Sequence, residues 1–181
     1  MDDLVRQAMA KWPNVPDCFD WLGLDTRGHW YMRNEATQQA ANFQCGLPQG
    51  KGSRVDHDKL KAFIERNYAC DAQGRWFFQN GPQRVFVELE ITPWIWRMDS
   101  DGSVHSHTGL PAQVQTVWQD EQGYVYLHTD LGLGLVHSQD VGCLAQALET
   151  HGWVVQACMR EQLPQQFGFV RSPAHNTPSS A

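Results

Sequence analysis

The chain lacks a cysteine pair. Its five cysteines, Cys18, Cys45, Cys70, Cys143 and Cys158, are too widely spaced for a C-x-x-C motif and odd in number, which disfavours a zinc ribbon or a disulfide framework and points to a reducing compartment. Long apolar runs are missing as well, since no stretch approaches the roughly 18 residues that span a bilayer. The opening Met1-Asp2-Asp3 is acidic, unlike the basic start of a secretory signal. Positive charge is scarce: 14 Lys and Arg stand against 20 Asp and Glu, a net charge of −6, so no general attraction for phosphate backbones or anionic lipid is expected. These gaps together predict a cytoplasmic protein with neither nucleic acid nor membrane as a partner.

Catalytic signatures are equally sparse. No G-x-S-x-G elbow occurs, and no cysteine sits in a recognisable nucleophile motif. Cys70, placed after a predicted helix C-terminus, is expected to have a raised thiol pKa. Gly46-Leu47-Pro48-Gln49-Gly50-Lys51-Gly52-Ser53 ends much like a phosphate-binding loop, but Gly52 intervenes between Lys51 and Ser53. It reads as a flexible loop, and no cofactor is expected.

What is present is turn chemistry and aromatic mass. Four D-x-x-G turns, at Asp25–Gly28, Asp71–Gly74, Asp99–Gly102 and Asp120–Gly123, each lead into extended residues. Gly permits positive φ and Asp bonds its own nearby backbone, so each marks a hairpin. Their intervals are irregular, which excludes a solenoid or propeller of fixed period. Residues Arg84–Ile91 alternate as a strand, with Val85, Val87, Leu89 and Ile91 on one side and Arg84, Phe86, Glu88 and Glu90 on the other. Helical spacing of apolar residues predicts helices over Asp2–Trp12, Asp56–Tyr68 and Ser138–Gly152, with Asp56 and Ser138 as N-caps. Asn34–Ser53 reads as a surface loop, Trp153–Ala157 as a strand. The predicted architecture is α+β, with repeated antiparallel hairpins in one or two sheets packed with about three helices. The predicted division is an N-terminal α+β half over 1–92, a β-rich half over 93–170 closed by helix 138–152, and a disordered tail over 171–181.

The segments Asp25-Thr-Arg-Gly28-His-Trp30, Arg54-Val-Asp-His57-Asp-Lys-Leu60, Asp71–Phe78, Asn80-Gly-Pro82-Gln-Arg84-Val-Phe-Val87-Glu88 and Pro93-Trp94 resemble, in this order, a proteobacterial protein family of unknown function. They are more distantly similar to a second such family, known by a D-G-x-W turn and repeated β-motifs. The likeness spans about Asp25 to Trp94. It implies a two-part α+β bacterial protein linked to signalling, with no catalytic residues to carry over.

Two constellations could carry chemistry. Asn80, Gln83 and Arg84, around a Pro82-set turn, offer planar donors suited to a carboxylate or phosphate; the plainer reading pairs Arg84 with Glu88 or Glu90. Trp94 and Trp96 could flank such a ligand, although a hairpin-rich domain also fills its core with indoles, and Trp30 and Trp76 are expected inside. The second constellation is His105-Ser106-His107, with spacing that puts two imidazoles on one face of a strand. His128 and His137 could join them, with Asp99 or Asp101 completing the shell of a divalent metal. The leading expectation is a non-enzymatic binding or regulatory module for a protein or a small anionic ligand. The alternative is a metal-dependent hydrolase centred on His105 and His107, and a third reading is an assembly subunit that uses exposed Trp.

Overall fold

The structure, a computed structural model, describes residues 1–176. The chain forms two compact units. The first comprises Met1–Asp25, His29–Ile91 and the chain from Phe169, and the second comprises Thr26–Gly28 and Thr92–Gly168. The architecture is α+β, as the turn pattern predicts. Parallel pairs are also present, so both sheets are mixed.

The first unit contains α1 (Asp3–Lys11), β1 (Cys18–Leu24), β2 (Trp30–Met32), α2 (Glu35–Ala40), α3 (Pro48–Lys51), β3 (Ser53–Arg54), α4 (Asp58–Arg66), β4 (Tyr68–Cys70), β5 (Trp76–Asn80) and β6 (Gln83–Leu89). Its sheet runs β3-β2-β1-β6-β5-β4. The second unit contains β7 (Trp94–Met98), β8 (Val104–Ser106), β9 (Pro111–Ala112), β10 (Val114–Gln119), β11 (Val125–Thr129), β12 (Gly132–Val136), α5 (Val141–His151), β13 (Val155–Ala157) and α6 (Leu163–Phe167). Its sheet runs β13-β10-β11-β12-β7-β8-β9.

Reversed, the second order is β9-β8-β7-β12-β11-β10 with β13 added, the same plan as the first. In each unit the opening strand runs parallel to the last hairpin strand, β1 with β6 and β7 with β12. The D-x-x-G turns occupy equivalent places, at β1–β2 and β4–β5 in one unit and at β7–β8 and β10–β11 in the other. In all four hairpins the residue before Asp faces the fifth residue after it: Leu24 with Trp30, Cys70 with Trp76, Met98 with Val104, Gln119 with Val125. The local bonds explain this shared register. The Asp N–H donates to the carbonyl four residues on at 3.0–3.1 Å in every copy. The Gly stands at φ of 77–84°, a left-handed conformation in which other residues are strained. In three copies the Asp Oδ1 also accepts the N–H four residues on, from His29, Arg75 and Tyr124, at 2.8–2.9 Å.

Helices α1, α4 and α5 correspond to the three predicted ones, though α4 is capped by His57 and α5 follows a 3-10 turn over Ser138–Asp140. On α1 the predicted apolar face is only partly covered: Val5 is buried, while Leu4 is 79% exposed and Trp12 50%. Asn34–Ser53 is not an open loop, since it holds α2, a 3-10 turn over Phe43–Cys45, and α3. Arg33 organises it. This buried guanidinium donates to the carbonyls of Gly50 at 2.8 Å and Ala41 at 2.6 Å and pairs with Asp20, so one charged side chain replaces the apolar periodicity that sequence patterns detect. Strand β6, expected to be amphipathic, buries both Val87 and Leu89 and the alternate residues Phe86 and Glu88, because its second face is covered too: Phe86 packs against the Phe19 and Phe77 rings, and Glu88 accepts from the Gln44 amide at 2.8 Å. Residues from Arg171, expected to be disordered, are partly structured: the Leu89 N–H donates to the Arg171 carbonyl at 2.8 Å, and Pro173–Asn176 form a 3-10 turn. The rest of the predicted tail, 177–181, lies outside the described residues.

The second core forms around Trp94 and Trp96, whose indole N–H groups donate to the carbonyls of Leu131 and Leu127 at 2.8 and 2.9 Å. Gly134 packs against both, and a Cβ there would stand 2.7 Å from the Trp94 Cβ and carbonyl oxygen. Gly134→Ala is therefore expected to destabilise the protein by about 1–3 kcal/mol, read from urea unfolding. Three paired carboxylates, buried Asp120 and Asp140 and half-buried Asp71, make stability sensitive to acid. Desolvation raises the Asp120 pKa, but hydrogen bonds from Tyr126, Arg160 and the backbone outweigh it and hold the group below its ordinary 3.8; Asp71 and Asp140 are lowered in the same way by Arg75 and Arg97. A lowered folded-state pKa contributes stability that is complete above the unfolded value and is lost as pH falls through the folded one. Stability should thus decline as pH drops below 3.8. Asp120→Asn should cost about 3 kcal/mol at neutral pH and flatten this decline, as followed by urea unfolding across pH.

Candidate ligand-binding site

The donors around Pro82 are committed within the first unit. The Arg84 Nε and a terminal nitrogen donate to the two carboxylate oxygens of Asp17, both at 3.0 Å, in place of the predicted Glu88 or Glu90. The Gln83 amide donates to the Pro16 carbonyl at 3.0 Å. Both side chains thus fasten the segment that leads into β1, which is why they do not converge on open space. Asn80 instead lines an apolar pocket of about 280 Å³, together with Trp21, Met32, Leu60, Phe63 and Phe78.

Trp94 and Trp96, expected beside a ligand, are core residues, 5% and 0% exposed. Trp30 is buried as expected, and Trp76 is half-buried. The histidines diverge. The His105 Nδ1 lies 3.5 Å from the Asp99 carboxylate. His107 falls beyond the end of β8, and its Nδ1 accepts the Ile95 N–H at 3.3 Å. His128 is on β11 with its ring 5.1 Å from that of Phe167, and the His137 Nδ1 accepts the Gln139 N–H at 3.2 Å. Among the described residues, no three His, Cys, Asp or Glu side chains are placed to share a metal ion. Desolvation, then the Asp71 carboxylate, pushes the Cys70 thiol up to about 11, so this group stays protonated at neutral pH; the rise is in the expected direction, but its causes are burial and Asp71, not the helix terminus.

The second unit contains a larger opening, a cavity of about 630 Å³. Val125 on β11, Leu135 and Val136 on β12 and Val141 at the start of α5 supply its apolar wall. Its polar side chains are Thr26, Arg27, Gln119, Gln122, Tyr124 and Ser138. Arg27 is the formally charged residue among those lining it. The β10–β11 turn positions Gln122 and Tyr124, whose N–H groups donate to the Asp120 Oδ1, both at 2.9 Å.

The nearby carboxylates are already engaged by the protein. The Asp120 Oδ2 accepts from the Tyr126 hydroxyl at 2.7 Å and from the Arg160 Nε at 2.8 Å. Arg160 also sits 4.4 Å from the centre of the Tyr124 ring, which fixes that aromatic wall. The Asp140 Oδ2 accepts from the Arg97 Nε at 2.6 Å and from the Met98 N–H at 3.1 Å. The lining combines a guanidinium, two amides and hydroxyls with an apolar wall, the residue chemistry that suits an anion carrying an apolar body. None of these residues was singled out as a site from the sequence. The available signal was positional: Arg27 and Gln122 each occupy the third place of a D-x-x-G turn, between the two strands of its hairpin.

No helix among the described residues is long and apolar enough to cross a membrane. No match is found among curated proteins. Among solved structures, a DUF1285 family protein from Silicibacter pomeroyi DSS-3 is similar at 13% identity, with a TM-score of 0.48 over 81% of this chain and 84% of that one. The family model DUF2944, described as "Protein of unknown function (DUF2946)", matches residues 1–174, and the chain belongs to that family of unknown function.

Proposed function

We propose that this protein is a cytoplasmic bacterial binding or regulatory module, without catalytic activity of its own, whose ligand is a small anion bound in the cavity of the second unit. The observation that carries this reading is the composition of the lining. Arg27, Gln119, Gln122 and Ser138 supply donors, and no carboxylate side chain is among the lining residues, in a chain whose net charge is −6. Retaining a cation and two amides around such a cavity favours a carboxylate or phosphate, while Val125, Leu135, Val141 and Tyr124 accommodate an apolar or aromatic remainder. The five free thiols support a reducing compartment.

The test is a thermal-shift and calorimetric titration with inorganic phosphate, a phosphomonoester and an aromatic carboxylate. A bound probe at 100 times its Kd should stabilise the protein by about 2.7 kcal/mol. Arg27→Gln should weaken binding by about tenfold or more, and Arg27→Lys by less, because Lys keeps the charge but loses the bidentate fork. Silence from every probe, or undiminished affinity in Arg27→Gln, would overturn the reading and favour a protein partner.

A further inference from the structure

Strand β13 lies at the edge of the second sheet and pairs with β10 alone. In the first unit the equivalent of β10 is β4, itself an edge, so β13 is an addition to the six-strand plan that the two units share. Its outer side is unguarded. Val154 is 78% exposed, and Val155, Gln156, Ala157 and Met159 are exposed as well. Gly152–Met159 contains no charged residue and no proline, although exposed edges ordinarily carry a charge, a proline or a bulge that discourages pairing. The neighbouring acids are occupied by Arg160, whose side chain donates to Asp120 and whose N–H donates to the Glu121 carboxylate at 3.0 Å.

The backbone pattern determines what this edge can accept. The Cys158 N–H donates inward to the Gln119 carbonyl at 2.9 Å. Alternate residues of a strand direct their N–H and C=O groups to opposite edges, so those of Val155 and Ala157 face outward. They lie symmetrically about Gln156.

We propose that β13 pairs antiparallel with β13 of a second copy of this chain, about a two-fold axis through Gln156, joining two seven-stranded sheets. This register places Val155 of each copy opposite Ala157 of the other, and the outward groups become hydrogen-bonded pairs. It also places Val154 opposite Cys158 and Trp153 opposite Met159, matching apolar positions with one another. A second copy is favoured over an unrelated strand because the contact is self-complementary and electrically neutral: two chains that each carry −6 meet along segments without charge.

The measurement is sedimentation equilibrium of the full chain from micromolar to near-millimolar concentration. The wild type should show a reversible monomer–dimer equilibrium. Ala157→Pro removes one outward N–H and leaves the inward bonds of β13 in place, so it should weaken dimerisation by about tenfold. Val155→Lys and Val155→Glu alter an exposed side chain and should fold normally by circular dichroism. Each alone should be monomeric, since like charges meet diagonally across the axis, and an equimolar mixture should form the heterodimer. A wild type that stays monomeric, a dimer that survives all three substitutions, or a mixture that fails to associate would each overturn the proposal.

Discussion

The constraint on which the rest of this structure depends is the carboxylate of an aspartate folded back onto its own hairpin. In the D-x-x-G turn the Asp backbone closes the loop, its side chain accepts nearby N–H groups, and Gly supplies the left-handed step that returns the chain. A two-residue period makes strand register unforgiving, since a slip of one residue turns every core side chain toward solvent. Four turns of one kind therefore fix four registers, and these are the same register.

The second carboxylate oxygen gives the turns different uses. Six residues after the Asp stand Tyr31, Phe77, His105 and Tyr126. Three of these reach back to it: Tyr31 at 3.3 Å, His105 at 3.5 Å and Tyr126 at 2.7 Å. Where Phe77 cannot, Arg75 binds the Asp71 carboxylate instead, at 2.7 Å. In the first unit Asp25 also neighbours Lys51, which is 2.9 Å from Glu90 and lies over the Tyr31 ring. The Gly-rich segment around Lys51, whose sequence predicts a flexible loop, is thus held by charge at Lys51 and at Arg33.

Much of the fold was legible in the sequence because its rules are local. The turns needed only Asp and Gly at fixed spacing, and α1, α4 and α5 needed only apolar periodicity. Parallel pairing of β1 with β6, the burial of both faces of β6 and the ordering of 34–53 were not legible, since each depends on partners distant in sequence. The site followed the same division. Arg84 and Gln83 looked available because sequence order hides Pro16 and Asp17, more than 60 residues away, and Trp94 and Trp96 looked like ligand platforms because indoles at a turn and indoles in a core share one pattern. Arg27 and Gln122 stood in recognised turns, yet no local motif links them.

The return of the chain at Phe169 has a consequence for synthesis. The second unit is encoded within the first, so a ribosome releases the complete second sheet before it releases the residues whose carbonyl receives the Leu89 N–H and whose guanidinium meets the Glu90 carbonyl. Until Arg171 emerges, the end of the central strand of the first sheet lacks these two bonds. The half of the protein that is translated first is the last to be finished.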